Sequence, residues 1–373
     1  MEKPQKTRVL IVDDSIVIRK VLTEALSSDP GLEVVATASD GRIALAKILS
    51  CNPDIVTLDV TMPVMNGIET LKEIRKLYPK LPVIMFSVLT NAGAAVTLEA
   101  LALGASDYVT KPGNAGNLEI ATERVRSQLI PKINALCAPR TARADAKPAP
   151  RIAPRAQVRR SRNIEIVAIG TSTGGPNALA ALFPSFPKDF PVPIVAVQHM
   201  PPIFTRLLAE RLDNRALISV EEGQDGKNLS PAHAWIAPGN FHMTVKRNAL
   251  SGHIQLDQNP PEHSCRPAVD VLFRSVAAAY GPSVLAVVMT GMGSDGALGA
   301  KEIRAAGGEV IVQDEASSVV WGMPGQTVSS GQADGVYPLD QLGAEITRRV
   351  MEGRSRQVAT ESKTCATLEP SAQ

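Results

Sequence analysis

Short, unbroken apolar runs that alternate with stretches of helical period constrain this chain more than any other feature. In the N-terminal half the runs are 9–12, 34–36, 55–58, 83–86 and 108–109, and between them residues 16–26, 42–49 and 68–77 repeat apolar side chains at helical spacing. A strand that is apolar throughout needs cover on both faces, and helices that link parallel strands provide it. The alternation predicts a doubly wound parallel sheet. The C-terminal half repeats the device with apolar runs at 164–170, 193–198 and 283–290, so a second parallel α/β domain is expected. Aromatic residues make up only 3% of the chain, so its cores have to be built from Val, Ile, Leu and Ala.

At 373 residues two domains are expected. The first is read as 5–130 and the second as 163–353. Between them, 131–162 is rich in Ala, Pro and Arg. Pro139, Pro148, Pro150 and Pro154 break any continuous helix there, and the arginines have no apolar pattern to pack against. This stretch reads as a tether, with Arg151, Arg155, Arg159 and Arg160 solvated, and the polar stretch 354–373 reads as a disordered tail. A net charge of +2 gives no reason to expect nucleic acid or a membrane surface as partner. The four cysteines lie far apart with no CxxC, as expected of reduced thiols. The first residues lack the apolar stretch of a signal peptide and no run is long enough to span a bilayer. The reading is a soluble, cytoplasmic protein with no direct membrane insertion.

In open α/β sheets function gathers at the carboxyl ends of the strands. In the first domain those ends carry Asp13-Asp14, Asp59, Ser87 and Lys111-Pro112. Helix capping explains one such aspartate but not the set. Three converging carboxylates repel one another unless a cation lies among them, and hard oxygen donors suit Mg²⁺. Asp59 is then placed to attack a phosphoryl donor, with Lys111 and Ser87 on the phosphoryl oxygens. With Leu58-Asp59-Val60-Thr61-Met62-Pro63, Asn66-Gly67 and Tyr108-Val109-Thr110-Lys111-Pro112, residues 7–129 resemble the receiver domains of two-component response regulators. The resemblance implies a flavodoxin-like fold, Asp59 as phosphoacceptor and a sensor histidine kinase as phosphodonor. It also implies Asp13, Asp14, Asp59 and the Val60 carbonyl as Mg²⁺ ligands, Ser87 and Tyr108 as switch residues, and a Lys111–Pro112 bond that is often cis.

In the second domain the apolar run 164–170 leads straight into Thr171-Ser172-Thr173-Gly174-Gly175-Pro176 and a helical stretch. A serine on a tight strand-to-helix turn has its hydroxyl lifted clear of the sheet, and the helix start offers N–H groups to a developing oxyanion. Two more strand ends deliver His199 and Asp295. Ser, His and Asp are what hydrolytic acyl transfer needs: a nucleophile, a base and a group that orients the base. The order Ser172, His199, Asp295 differs from the Ser, acid, His order of α/β-hydrolases, although Gly170 to Gly174 fits their G-x-S-x-G elbow. The turn also lacks the lysine of a P-loop. Among the other histidines, His233 and His242 flank 235–240, where loop or substrate-side duties are open to them, and His253 after a turn and His263 in a polar loop are read as structural or solvated. For Asp295, capping of the following helix is a compatible second role.

The order and the flanking motifs resemble the protein-glutamate methylesterases of bacterial chemotaxis. They include Gln198-His199-Met200-Pro201, Ile236-Ala237-Pro238-Gly239, Cys265-Arg266-Pro267-Ala268-Val269-Asp270 and Thr290-Gly291-Met292-Gly293-Ser294-Asp295-Gly296. The resemblance implies a Rossmann-like esterase domain that hydrolyses glutamyl methyl esters on the cytoplasmic helices of chemoreceptors, and deamidates selected glutamines. It also implies the Met292 N–H as an oxyanion donor, residues 265–273 near the cleft, no cofactor at the esterase site, and an unphosphorylated receiver that covers the cleft. The long Arg/Pro tether departs from the family pattern. A phosphorylation-dependent receptor adaptor with a spent site is the rival reading, disfavoured by the intact Ser172, His199 and Asp295. A DNA-binding regulator needs a basic recognition helix, which the C-terminal half lacks.

Overall fold

The apolar runs of the N-terminal half form strands β1 (Thr7–Val12), β2 (Leu32–Ala38), β3 (Ile55–Asp59), β4 (Val83–Ser87) and β5 (Asp107–Thr110). Helices α1 (Ile16–Ser27), α2 (Gly41–Cys51), α3 (Gly67–Leu77) and α4 (Asn91–Ala102) connect them, and α5 (Leu118–Cys137) follows. The computed structural model describes residues 6–111, 118–137, 163–248 and 251–366, in two compact units, 1–148 and 149–373. In the first unit the sheet order is β2-β1-β3-β4-β5, and every pairing is parallel. This is the flavodoxin-like order, with its switch point between β1 and β3. Val12 pairs with Leu58, so Asp13 and Asp59 leave the sheet side by side. Polar residues start the helices: Asp40 accepts from the Ile43 N–H, and Asn66 and Glu69 form a reciprocal capping box on α3.

One boundary differs from the sequence expectation. Helix α5 continues through Pro131 to Cys137, into the stretch read as tether. The cause is packing: Val125, Leu129 and Ile133 recur every fourth residue and are buried against α1 and the sheet. Beyond the proline, Lys132 Nζ reaches Asp107 Oδ2 at 2.8 Å and the Tyr108 carbonyl at 2.8 Å. These contacts outweigh the one helical hydrogen bond that Pro131 forfeits. Pro112 and the rest of the tether, 138–162, lie outside the described residues.

The second unit has a seven-stranded, wholly parallel sheet in the order β14-β13-β12-β6-β7-β9-β8. Its strands are β6 (Ile166–Thr171), β7 (Ile194–Gln198), β8 (Ser219–Glu222), β9 (His233–Ile236), β12 (Val284–Val288), β13 (Glu309–Gln313) and β14 (Gly335–Tyr337). An antiparallel hairpin, β10 (His242–Arg247) with β11 (Gly252–Asp257), packs beside it. The helices are α6 (Gly175–Leu182), α7 (Phe204–Asp213), α8 (Val269–Tyr280), α9 (Ala297–Ala305), α10 (Gly322–Ser329) and α11 (Leu339–Ala366). The chain runs from β6 outward through β7, then returns to β12 on the other side of β6. That reversal opens a crevice at the carboxyl ends of β12, β6 and β7.

The sheet is Rossmann-like as expected; the buried run 310–312 of β13 adds a strand to those expected, while β8, β14 and the hairpin carry no strong apolar run. β8 is half-exposed and β14 lies at the opposite edge, so neither needs one. Helix α11 continues to Ala366, into the stretch read as disordered from 354. Its residues there, such as Arg356, Gln357, Ala359, Glu361 and Lys363, are good helix formers, and Arg354 donates to the Pro191 carbonyl at 2.8 Å. Residues 367–373 lie outside the described residues. Among the described residues no helix is long and apolar enough to cross a membrane.

The α5 extension makes a direct prediction. Ile133→Ala removes a fully buried side chain and lowers the unfolding free energy of the first unit by about 2–4 kcal/mol in a denaturant titration. Arg126→Ala, on the exposed face of the same helix, changes it by no more than about 0.5 kcal/mol.

Candidate functional site

At the crevice of the second unit, backbone register brings the three polar residues to adjacent strand ends. Thr171 pairs with Gln198, and Gly170 with Val288, so Ser172 leaves β6 between the ends of β7 and β12. The Ser172 N–H donates to the Thr290 carbonyl at 3.0 Å, and its carbonyl accepts from the Gly175 N–H at 2.8 Å. Gly174 closes this turn at φ +78°, which favours glycine. The buried Gln198 side chain donates to the carbonyls of Ser172 (3.0 Å) and His199 (3.3 Å), so one amide holds both residues. Gly291 passes so near that a Cβ there would stand 2.9 Å from Ser172 Cβ.

His199 Nε2 lies 2.8 Å from Asp295 Oδ2. The ring is nearly buried and the carboxylate is buried. With Nε2 committed to Asp295, Nδ1 is the atom left to exchange a proton. Burial pulls the imidazole toward lower basicity, but the Asp295 carboxylate outweighs it and drives the ring well above an ordinary histidine. The Cys265 sulfur, also within reach of the ring, adds to that pull only as a thiolate. On Asp295, burial favours the neutral acid, yet His199 and the N–H groups of Val269 and Asp270 hold the carboxyl below its ordinary value.

Asp295 does more than face the histidine. Its Oδ2 accepts from Val269 N (2.7 Å), and its Oδ1 from Asp270 N (2.8 Å) and Gly296 N (2.9 Å). It therefore caps α8, not the helix that follows it in sequence. Asp270, in the first turn of α8, accepts from Gly296 N (2.9 Å) and Gly299 N (2.6 Å) and caps α9 in return. His263 Nε2 lies 2.8 Å from the other Asp270 oxygen. Asp270 and His263 were not legible as partners of the site, because their meeting is set by the contact between α8, α9 and the loop before α8. The hint in the sequence was the motif around Asp270.

The remaining histidines are structural. His233 stacks on the Trp235 ring at 4.5 Å, and the buried His242 accepts from Ala268 N while its Nε2 faces the Pro260 carbonyl. His253 pairs with Lys246 inside the hairpin. Met292 follows Gly291 on the loop beside Ser172, and nothing among the described residues accepts from its N–H.

In the first unit, carboxylate oxygens of Asp13, Asp14 and Asp59 lie within 4.8 Å of one another. Lys111 Nζ bridges Asp13 Oδ2 at 2.9 Å and Asp59 Oδ2 at 2.8 Å. Burial, opposed by Lys111 and reinforced by Asp13, lifts the Asp59 carboxyl to about 6. Burial also works against the Lys111 charge, but Asp59 and Asp13 more than restore it. The donor set fits a hard divalent cation: three carboxylates meet at one edge with a single ammonium to balance them. The Val60 carbonyl accepts from Gly67 N at 3.0 Å and keeps a second lone pair. The Ser87 hydroxyl faces the carbonyl of Gly93 at 3.2 Å, and Tyr108 is buried.

Comparisons with known proteins bear on both units. The response regulator receiver domain family matches residues 9–123, and the CheB methylesterase family matches 167–346. A protein-glutamate methylesterase/protein-glutamine glutaminase of Trichodesmium erythraeum is 52% identical over 349 residues, covering 92% of this chain and 99% of that protein. One from a Nocardioides species is 49% identical over 354 residues, 93% of this chain and 96% of its own. The solved CheB methylesterase catalytic domain of Thermotoga maritima shares 42% identity, with a TM-score of 0.49 over 50% of this chain and 98% of that one. With more than nine tenths of its length matched by the Trichodesmium and Nocardioides proteins, and a receiver and a CheB methylesterase match within it, the chain belongs to the family of protein-glutamate methylesterase/protein-glutamine glutaminases.

Proposed function

We propose that the chain is a phosphorylation-activated hydrolase that removes methyl esters from glutamate side chains of chemoreceptors and deamidates selected glutamines. The observation that carries this reading is the meeting of Ser172, His199 and Asp295 at three adjacent strand ends, with His199 Nε2 2.8 Å from Asp295 Oδ2. Ser172 Oγ attacks the ester carbonyl carbon while its proton passes to His199 Nδ1. The Met292 N–H receives the oxyanion. As the intermediate collapses, His199 returns the proton to the departing methoxide oxygen and methanol leaves. Water then attacks the acyl-serine, again giving its proton to His199, and the glutamate carboxylate is released. With a glutamine side chain the leaving group is ammonia. Asp295 stays ionised throughout, orients the ring and stabilises the imidazolium. No cofactor is assigned to this site.

In the first unit, Asp59 is the phosphoacceptor and a sensor histidine kinase the donor. Lys111 balances phosphoryl oxygens, and Ser87 supplies a hydroxyl once it turns from Gly93. Asp13, Asp14, Asp59 and the Val60 carbonyl would hold Mg²⁺, which when bound supplies charge neutralisation for the phosphoryl group. The unit 163–353 is read as the catalytic domain, with 138–162 as tether, the cytoplasm as its location and receptor cytoplasmic helices as its substrate.

Ser172→Ala is expected to lower methanol release from methylated receptors by at least about 10⁴-fold while circular dichroism and unfolding midpoint stay unchanged. Asp59→Asn keeps basal esterase activity and loses stimulation by a small-molecule phosphodonor with Mg²⁺. The same substitution has a stability signature. A carboxyl raised from 3.8 to about 6 on folding stabilises the fold below pH 3.8, and that contribution is lost as pH rises toward 6. In metal-free buffer at pH 7, Asp59→Asn is therefore more stable than wild type by about 3 kcal/mol, a gain that fades toward pH 4. Thermal melts at the two pH values check it.

A further inference from the structure

Behind the catalytic pair stands a second His–Asp pair that the hydrolytic scheme does not use. Asp270 is wholly buried, and its carboxylate accepts from Gly296 N, Gly299 N and His263 Nε2. Burial and the neighbouring Asp295 charge leave this carboxyl above its ordinary value, and its three donors are what favour the ionised form against them. Oxygens of Asp270 and Asp295 and a ring nitrogen of His263 all lie within 4.8 Å of one another. His263 is the one member with substantial exposure, its side chain 33% accessible. Two successive non-glycine residues in the left-handed region, His263 (φ 50°) and Ser264 (φ 60°), shape the turn that carries this ring. Such backbone is strained for residues with a side chain and persists only where surrounding contacts enforce it.

We propose that His263 and Asp270 are positioning residues: His263, by donating to Asp270, keeps a second negative charge behind Asp295, and that charge strengthens His199 as the base for Ser172. The inference rests on the triad reading above. Its physical basis is the distance dependence of charge interactions in a site without much water. The imidazolium that forms when Ser172 gives up its proton is stabilised by Asp295 directly and by Asp270 one step behind. Burial pushes the Asp270 carboxyl upward and the Asp295 charge adds to this; Gly299 N–H and His263 oppose it without reversing the upward direction, so the ionised form depends on keeping both donors. Without His263, Asp270 has an unpaired oxygen in a buried place, and proton uptake becomes the cheaper state. The second charge is then lost. The ionisable groups facing Asp270 are His263 from the preceding loop and Asp295 from the loop after β12, and those facing His199 are Asp295 and Cys265. Arg274 on α8 is committed to Glu262 at 2.5 Å.

The test is the pH profile of kcat/KM for methanol release by the full-length protein, activated with phosphodonor, on methylated receptor membranes. Removing a negative charge lowers the basicity of His199, so the acid limb should move to lower pH. In His263→Ala the shift should be about 0.5–1 pH unit, with kcat lowered about 10-fold. His263→Gln restores the donor without a titrating ring and should return most of both. Asp270→Asn should move the limb in the same direction as His263→Ala. If Asp270→Asn fails to fold because α9 loses its cap, the Ala and Gln variants of the more exposed His263 decide alone. Repeating the series in a Cys265→Ser background removes the thiol from the profile. A limb within about 0.2 units of wild type in His263→Ala, or a loss of kcat that Gln does not restore, overturns the inference and leaves a structural role. Ser172→Ala run alongside separates the failures: if it releases methanol at the wild-type rate, the triad reading falls and this inference with it.

Discussion

Two buried carboxylates, Asp270 and Asp295, exchange helix caps, and the catalytic edge of the second unit depends on that exchange. Each sits at the start of the helix the other belongs to or precedes: Asp295 takes the first N–H groups of α8, and Asp270 takes those of α9. Placing two anions together inside a protein costs several kcal/mol for each ion. Charge-assisted hydrogen bonds to backbone N–H groups and the positive ends of two helices offset that cost. The exchange also fixes His199, because the Asp295 oxygen that accepts from Val269 N is the one that faces its ring. Orientation of that ring, the join of α8 to α9 and the charge state of the Asp295 carboxylate are thus one arrangement.

The two units reach their chemistry by the same topological route and opposite electrostatics. In both, a parallel sheet reverses its winding, and the polar residues stand at the strand ends beside the reversal. In the second unit the anions are over-supplied with donors, so Asp295 is held ionised. In the first unit one cationic side chain, Lys111, bridges Asp13 and Asp59, the backbone adds the Ser15 and Thr61 N–H groups, and burial still lifts Asp59. Three carboxylates so close together repel one another, which is the electrostatic setting that favours a divalent cation.

Much of this was legible in the sequence. The apolar runs marked both sheets because a strand buried on two faces leaves no room for polar residues. Asp13, Asp59, Ser172 and His199 stood out because each ends or closely follows such a run, and Asp295 because the glycine-rich loop after the run 283–290 leads to it. The half-exposed β8 and the edge strand β14 did not stand out, since neither needs an apolar run. Helix α5 was cut short because Pro131 carries a strong local signal, while the packing of Ile133 against α1 and the sheet carries none.

The sequence by itself determined the two parallel α/β domains and the residue types at their strand ends, since strand burial and strand-end position are properties of local runs. Only the tertiary structure decided which helix Asp295 caps and that Asp270 and His263 stand behind it. The separations from Asp295 to Asp270 and from Asp59 to Lys111 span whole strands and helices. Contacts of that kind depend on how layers pack, and no local pattern of residues encodes them.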